Sequence, residues 1–235
     1  MPSPHFNFCH LPFAICLLPF RRSHSAIQSF IALLTALALV TGGHAQEAAT
    51  TGKRIVTAAR QQVGVTKGYD PAYTALAYPA GDVPLRTGVC CDVVVRALRQ
   101  IGIDLQKEVH EDMQKNFSAY PQKWGLKGPD KNIDHRRVPN LMRYFERHQI
   151  AMHEKFKQAE TYRPGDIVTW DLGGGLVHIG IVSDRMTGST PLIIHNIGGG
   201  AQEEDILFQY QVIGHYRVKE RPEVPSGEPH VATSQ

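Results

Sequence analysis

The chain has few cysteines, no long hydrophobic run and no concentrated block of one charge, and each shortage narrows what it can be. The apolar run Phe30–Val40 is eleven residues long, well short of the roughly 20 that cross a bilayer as a helix. No basic patch and no acidic tract is present, and the formal charge of the 235 residues is only +3. Nucleic acid and anionic lipid are therefore excluded as main partners. Cysteine is the most informative shortage. There are four, at positions 9, 16, 90 and 91.

The beginning of the chain reads as an export leader. Arg21-Arg22 precede the apolar run, and Thr41-Gly42-Gly43-His44-Ala45 follow it with a small-x-small end. Those are the three parts of a secretory signal, with cleavage after Ala45. The reading divides the chain into a leader and signal over 1–45, a disordered lead-in over 46–52, one domain over 53–220 and a flexible tail over 221–235. It places the mature protein in the periplasm or outside the cell, with no membrane span after cleavage. About 190 residues remain, enough for a single domain with a substantial core. Cleavage removes two arginines and no acids, which lowers the formal charge to +1.

Cys9 and Cys16 leave with the leader, so the mature chain keeps only the neighbours Cys90 and Cys91. Exported domains use cysteines mainly as paired staples. Adjacent Cα atoms lie about 3.8 Å apart, whereas a disulfide spans roughly 4.4–6.8 Å, and a bridge here would close no loop. The pair is not a staple. Catalysis is the first reason to keep a thiol in an oxidising compartment.

The surrounding pattern agrees. Val94, Ala97, Leu98 and Ile101 recur at helical period, Gly102 supplies a left-handed stop, and Ile103 folds back onto the last turn. A cysteine in the first turn of that helix faces unpaired N–H groups and the positive end of the helix dipole, which favour thiolate. Successive residues turn by about 100°, which sets Cys90 nearer the centre of the apolar stripe than Cys91. An amphipathic helix is predicted over Lys53–Val63, a Tyr/Pro/Gly loop over Gly68–Asp82, a short helix within Leu105–Phe117, and turns over Ser118–Lys131. Pro139 opens a further helix whose inner face is Leu141 or Met142, Phe145 and His148.

The second half reads as strands: Ile167–Trp170, Val177–Val182, Leu192–Asn196 and a last one within Phe208–Val218, with Ser183–Thr190 looping out. Helices first and strands after give an α+β fold, with the cysteine helix packed on a meandering antiparallel sheet. Strand alternation puts His178, Gly180 and Val182 on one face, and the glycine removes bulk beside the imidazole. His195 ends the next strand and can reach the same face. A thiol, a base and a residue that orients the base form a Cys-His-X arrangement. Arg136 and Arg137 either pair with a substrate carboxylate or tie Asp92 and Asp134 together. His110, Glu111, Asp112 and His135 show no recognised ligand spacing, so no metal and no cofactor is predicted.

Gly88-Val89-Cys90-Cys91-Asp92-Val93-Val94, Pro164-Gly165-Asp166-Ile167-Val168, His178-Ile179-Gly180-Ile181-Val182 and Ile194-His195-Asn196 resemble, in order, the motifs of NlpC-type cell-wall cysteine peptidases. More closely, Ile55 to Val218, including Asn132–Leu141 and Gly214-His215-Tyr216-Arg217, resembles an exported bacterial domain-of-unknown-function family (1287). The NlpC resemblance implies a papain-like fold and hydrolysis of an amide bond, most directly in peptidoglycan peptide stems, with Cys90 as nucleophile, His178 as base and His195 as the orienting residue. It also implies that Tyr78, twelve residues ahead of Cys90, lines the site. Peptidoglycan, or another amide-containing envelope substrate, is the expected partner. A wall-binding module without activity and a thiol acyltransferase are the alternatives. Cys91-Asp92 stand where NlpC-type enzymes carry a small Ser-Gly pair, which leaves the substrate open; the oligomeric state is not given by the sequence.

The leader generates the first prediction. Amino-terminal sequencing of exported protein should begin at Gln46, and a start at or before Arg21 would overturn the assignment.

Overall fold

The computed structural model describes residues 51–148, 150–152 and 157–219. The leader, lead-in residues 46–50 and the tail over 221–235 lie outside the described residues. Helix α1 occupies 51–60, followed by β1 (Gly68–Tyr69), β2 (Thr87–Gly88), α2 (Cys90–Arg99), α3 (Leu105–Asn116) and α4 (Val138–Arg147). Five strands complete the domain: β3 (Ile167–Gly173), β4 (Leu176–Thr187), β5 (Thr190–Asn196), β6 (Ala201–Glu204) and β7 (Gln211–Tyr216). The α+β class holds, with four helices and an antiparallel sheet ordered β6-β5-β4-β3-β7. No helix among the described residues is long and apolar enough to cross a membrane.

Strands β3 to β6 form the expected meander, but β7 returns to the other side of β3. Two expectations change here. Ser183–Thr187 does not loop out; it extends β4, and Thr187 pairs with Thr190 across the two-residue turn Gly188-Ser189. Strand β6 went unread because Ala201-Gln202-Glu203-Glu204 offers no apolar alternation, and its β-structure comes from pairing with β5. Helix α1 starts earlier than predicted. Thr51 and Gly52 are helical and buried, with Gly52 lying against the Pro164 carbonyl, so this part of the lead-in belongs to the domain.

Helix α2 is the centre of the packing. Gly102 takes the left-handed conformation (φ 85°), and the Ile103 N–H returns to the Leu98 carbonyl at 3.0 Å, closing the helix as its sequence predicts. Yet α2 is not a one-faced helix: every residue from Cys90 to Leu98 is buried. It packs on β4 and β5 and also against α3 and the 3-10 turn Asp134–Arg136. Val94, Ala97 and Leu98 join Ile179, Ile181 and Ile194 in the main core, while Trp170, Val182, Ile193 and Leu207 form a second cluster on the opposite face of the sheet. Fully burying each large aliphatic side chain contributes about 1.5–3 kcal/mol, so α2 is held mainly by its Val and Leu side chains. In α4 the inner face is Leu141, Tyr144 and Phe145. His148 is exposed instead, and its ring lies 4.2 Å from that of Tyr144.

The start of α2 is fixed by charge. Val89 has no acceptor side chain to cap the helix, and Asp92 at the third helical position accepts the Val89 N–H at 2.6 Å. Arg136 then grips the same carboxylate through Nε and Nη2, both at 3.0 Å, and donates to the Ala72 and Asp70 carbonyls at 3.2 and 3.1 Å. The two side chains are 1% and 4% exposed. Arg136 is therefore not a substrate ligand, because its guanidinium is already bound and buried. Its partner is Asp92, one of the two acids weighed for it.

Removing one member of a buried pair strands the other. Arg136→Met should lower unfolding stability by about 3–5 kcal/mol, read as a fall in denaturation midpoint at constant slope. An unchanged midpoint would mean that Asp92 does not depend on Arg136.

Candidate active site

Cys90 is the first residue of α2 and is 4% exposed; Cys91 is completely buried. The approach to the helix is held on both sides. β1 pairs with β2 in parallel, matching Tyr69 with Gly88, and the Asn196 side-chain amide donates to the Gly88 and Gly68 carbonyls at 2.9 and 3.2 Å. Asn196, at the end of β5 and fully buried, thus ties the histidine strand to the loop that presents Cys90.

The two histidines meet as the alternation predicts. His178 Nε2 lies 3.0 Å from His195 Nδ1, both rings are buried, and they stand at 84° to one another. Gly180 makes this possible. A Cβ there would fall 2.7 Å from Ile193 Cγ2 and 3.1 Å from His195 Cβ, so any larger residue would push β5 away. Trp170, paired with His178 across β3 and β4, backs the His178 ring at 5.8 Å.

A fourth group ends the line. Glu204 on β6 stands on the same face as His195, and its carboxylate is 3.1 Å from His195 Nε2. A carboxylate only accepts, so His195 carries its proton on Nε2. Burial and the neighbouring His178 lower the His195 pKa to about 3, which keeps the ring neutral and Nδ1 a free acceptor. His178 Nε2–H therefore donates to His195, and His178 Nδ1 is left for the thiol. These tautomers are assigned from the partners. The order is Cys90, His178, His195, Glu204.

Cys90 reaches His178 by a route different from the helix-face argument. The stripe of α2 packs on Ile179, Ile181 and Ile194, whereas the histidines point to the other face of the sheet. The β4–β5 ladder begins only at Ile181↔Ile194. The Val182 N–H donates toward β3, to the Asp166 carbonyl at 2.8 Å, so by alternation the Ile179 N–H points to the β5 side, beyond the first rung. There it is donated to the Cys90 sulfur.

The two thiols are driven apart electrostatically. A hydrogen bond from the Cys91 thiol holds Cys90 well below the usual thiol range against the opposing effect of burial, and the His178 imidazole and Ile179 N–H act in the same direction as Cys91. Burial, with the hydrogen bond to Cys90 and the negative charge on it, pushes Cys91 well above that range. Cys90 is equipped to be a thiolate beside the His178 ring, and Cys91 to remain a thiol that donates to it.

In front of Cys90 lies a pocket of about 330 Å³, lined among others by Tyr69, Trp124, Arg137, Leu176 and Val177. Cys91 does not line it. Nor does Tyr78. Its ring packs edge-on to His110 at 5.2 Å, under the Lys131 ammonium at 5.6 Å. Tyr69 occupies the place expected of Tyr78, because the β1–β2 pairing brings position 69 beside the cysteine. Burial, followed by the charge of Cys90, raises the Tyr69 pKa, so its hydroxyl stays protonated. Arg137 lines the pocket, and so does Arg136, whose guanidinium is already taken up by Asp92 and by the Ala72 and Asp70 carbonyls. Among the described residues no group of three His, Cys, Asp or Glu side chains is gathered to hold a metal ion. Asp112 is instead bound by Arg147 and Tyr120.

Tyr69 and Glu204 were missed in the sequence because each is brought to the site by a strand pairing too short or too polar to carry a periodic signal. Asn196 stood on a strand that the sequence showed, but its partners, the Gly68 and Gly88 carbonyls, are set by the tertiary fold.

The thiol assignment sets a labelling prediction. Sub-stoichiometric iodoacetamide should modify Cys90 before Cys91, with a rate at pH 7 within about twofold of that at pH 8.5, where an ordinary thiol gains roughly tenfold or more. Preferential labelling of Cys91, or the ordinary climb with pH, would remove the thiolate.

Comparison with known proteins places the chain. The uncharacterized protein YijF of Escherichia coli (strain K12) is 59% identical to it over 170 residues, which cover 72% of this chain and 82% of YijF. No solved structure matches it. The cysteine, both histidines, Tyr69, Asn196 and Glu204 all lie within residues 56–218, which match the family described as Domain of unknown function (DUF1287), and the chain belongs to that family.

Proposed function

We propose that the protein is an exported thiol hydrolase of papain-like, NlpC-type fold that cleaves an amide bond, with peptidoglycan peptide stems as its substrate. One observation carries the reading. A cysteine on the first turn of a buried helix faces a pocket, next to a histidine whose other ring nitrogen is 3.0 Å from a second, neutral histidine.

The chemistry follows from the tautomers. His178 Nδ1 takes the Cys90 proton, and the sulfur adds to the carbonyl carbon of the amide. The oxyanion that forms is held by the Cys90 N–H at the helix start and the Tyr69 hydroxyl. His178 then returns the proton to the leaving amine as the C–N bond breaks. Water, deprotonated by His178, cleaves the thioester to give the free acid and restores the thiol. His195 stays neutral throughout and holds the His178 ring, as the third member of such a triad does. Export by the amino-terminal signal would deliver the protein to the compartment where peptidoglycan lies.

The test is incubation of the mature protein with purified peptidoglycan, followed by mass analysis of soluble fragments. Fragments are expected from the wild type. Binding without fragments would make it a wall-binding module, and an acyl mass retained on Cys90 a transferase. His178→Ala should lower turnover about a thousandfold or more, nearly as far as Cys90→Ala, and the double variant should be no worse than either single one. His195→Gln keeps an acceptor for the ring N–H and should retain a measurable fraction, whereas His195→Ala should lose more. Equal turnover in all of them would remove this site from catalysis.

A further inference from the structure

Cys91 is the one nucleophilic side chain of the site that the hydrolytic steps leave unused. The pocket reaches Cys90 and not Cys91, which lies fully buried behind it and donates its thiol hydrogen to the Cys90 sulfur. Neither sulfur is bridged, and the described residues hold no third cysteine. The form of a thiol that attacks a carbonyl is also the form that oxidants attack. A thiolate open to peroxide passes to the sulfenic acid. Without a second thiol it goes on to the sulfinic and sulfonic acids, which thiol reductants do not reverse. Here the second thiol is the next residue, shielded from the pocket and already in contact with the sulfur it would rescue.

We infer that Cys90 and Cys91 make a reversible oxidation site, in which hydrogen peroxide oxidises Cys90 and Cys91 captures the product as a vicinal disulfide. The Cys90 sulfur attacks one peroxide oxygen. The S–O bond forms, the O–O bond breaks, and the other oxygen leaves as hydroxide and is protonated to water. The sulfur thereby loses two electrons and becomes the sulfenic acid. The Cys91 sulfur then attacks that of Cys90, the S–O bond breaks, and the Cys91 proton leaves with the hydroxyl as a second water. The strain that rules the pair out as a staple suits this role. Adjacent Cα atoms at about 3.8 Å are closer than the roughly 4.4–6.8 Å of an ordinary disulfide, and a strained bridge is readily reduced. Only the first turn of α2 has to move. The N–H groups of its first residues have no intrahelical partner to lose, and Asp92, bound to Arg136, holds the helix from its third residue onward. The bridge takes the nucleophile out of action and returns it on reduction, whatever bond Cys90 cleaves.

The test needs no substrate. Mature protein with both thiols reduced is treated with hydrogen peroxide until about nine-tenths of Cys90 no longer labels with iodoacetamide. One portion is then reduced with dithiothreitol and labelled again. In the oxidised wild type the tryptic peptide Thr87–Arg96 should lack the mass of two hydrogens, and dithiothreitol should restore most of the Cys90 labelling. Cys91→Ser keeps a hydroxyl to donate in place of the thiol. Oxidised to the same extent, it should carry two or three added oxygens on Cys90, with restored labelling at least about fivefold lower than in the wild type. Three results overturn the site: a wild-type Cys90 that gains oxygens without the loss of two hydrogens, a bridge that joins two copies of the chain, or restored labelling in Cys91→Ser within about twofold of wild type. None of them bears on cleavage of peptidoglycan, which the fragment assay reads separately.

Discussion

The Asp92 carboxylate is the group on which the site depends. It closes the start of α2 by accepting the Val89 N–H, and through Arg136 it ties that start to the carbonyls of Asp70 and Ala72 and to the 3-10 turn over Asp134–Arg136. Three pieces of the candidate site are thereby set relative to one another. Cys90 leads the helix, Tyr69 precedes Asp70, and Arg137 follows Arg136. A short polar side chain at the third helical position acts both as cap and as anchor. The interaction is buried on both sides, so its geometry is rigid, and losing either partner leaves an unpaired charge in the core.

The second constraint is desolvation. Cys90, His178 and His195 all lie in the interior, where burial keeps the His195 ring neutral and alone would leave Cys90 a neutral thiol. Directed hydrogen bonds decide otherwise. Cys91 and the Ile179 N–H stabilise negative charge on Cys90, while Glu204, at the half-exposed end of the line, sets the His195 tautomer without being buried itself. Placing the only carboxylate of the line at its far end keeps a full negative charge away from the sulfur.

Elsewhere the same logic is used for architecture. Asp166 receives His215 Nε2 at 2.6 Å and two bonds from Arg217 at 2.7 Å, and it accepts the Arg163 N–H at 2.8 Å. Together these join the turn before β3 to the end of β7, the strand that breaks the meander. Pro164-Gly165-Asp166 and Gly214-His215-Tyr216-Arg217 stood out in the sequence as motifs with no role attached. Their residues bond to each other, away from Cys90, and their role is to close the sheet.

Much of this was readable from residue order. The thiol at a helix entry, the Gly102 stop, the strands around His178 and His195 and the bulk-free position at Gly180 are local properties. They follow from period, turn chemistry and alternation, which act over a few residues. The tertiary structure decided everything that depended on which strand lies beside which. It put Tyr69 and not Tyr78 next to the cysteine, because a two-residue parallel pairing has no sequence period. It made Glu204 the last member of the line, because β6 is polar and becomes a strand only against β5. It bound the Arg136 guanidinium to Asp92 and laid that of Arg137 against the Trp124 ring. Adjacent residues of identical type are told apart only by the side to which the backbone turns them, and that turn is set by the elements packed around it.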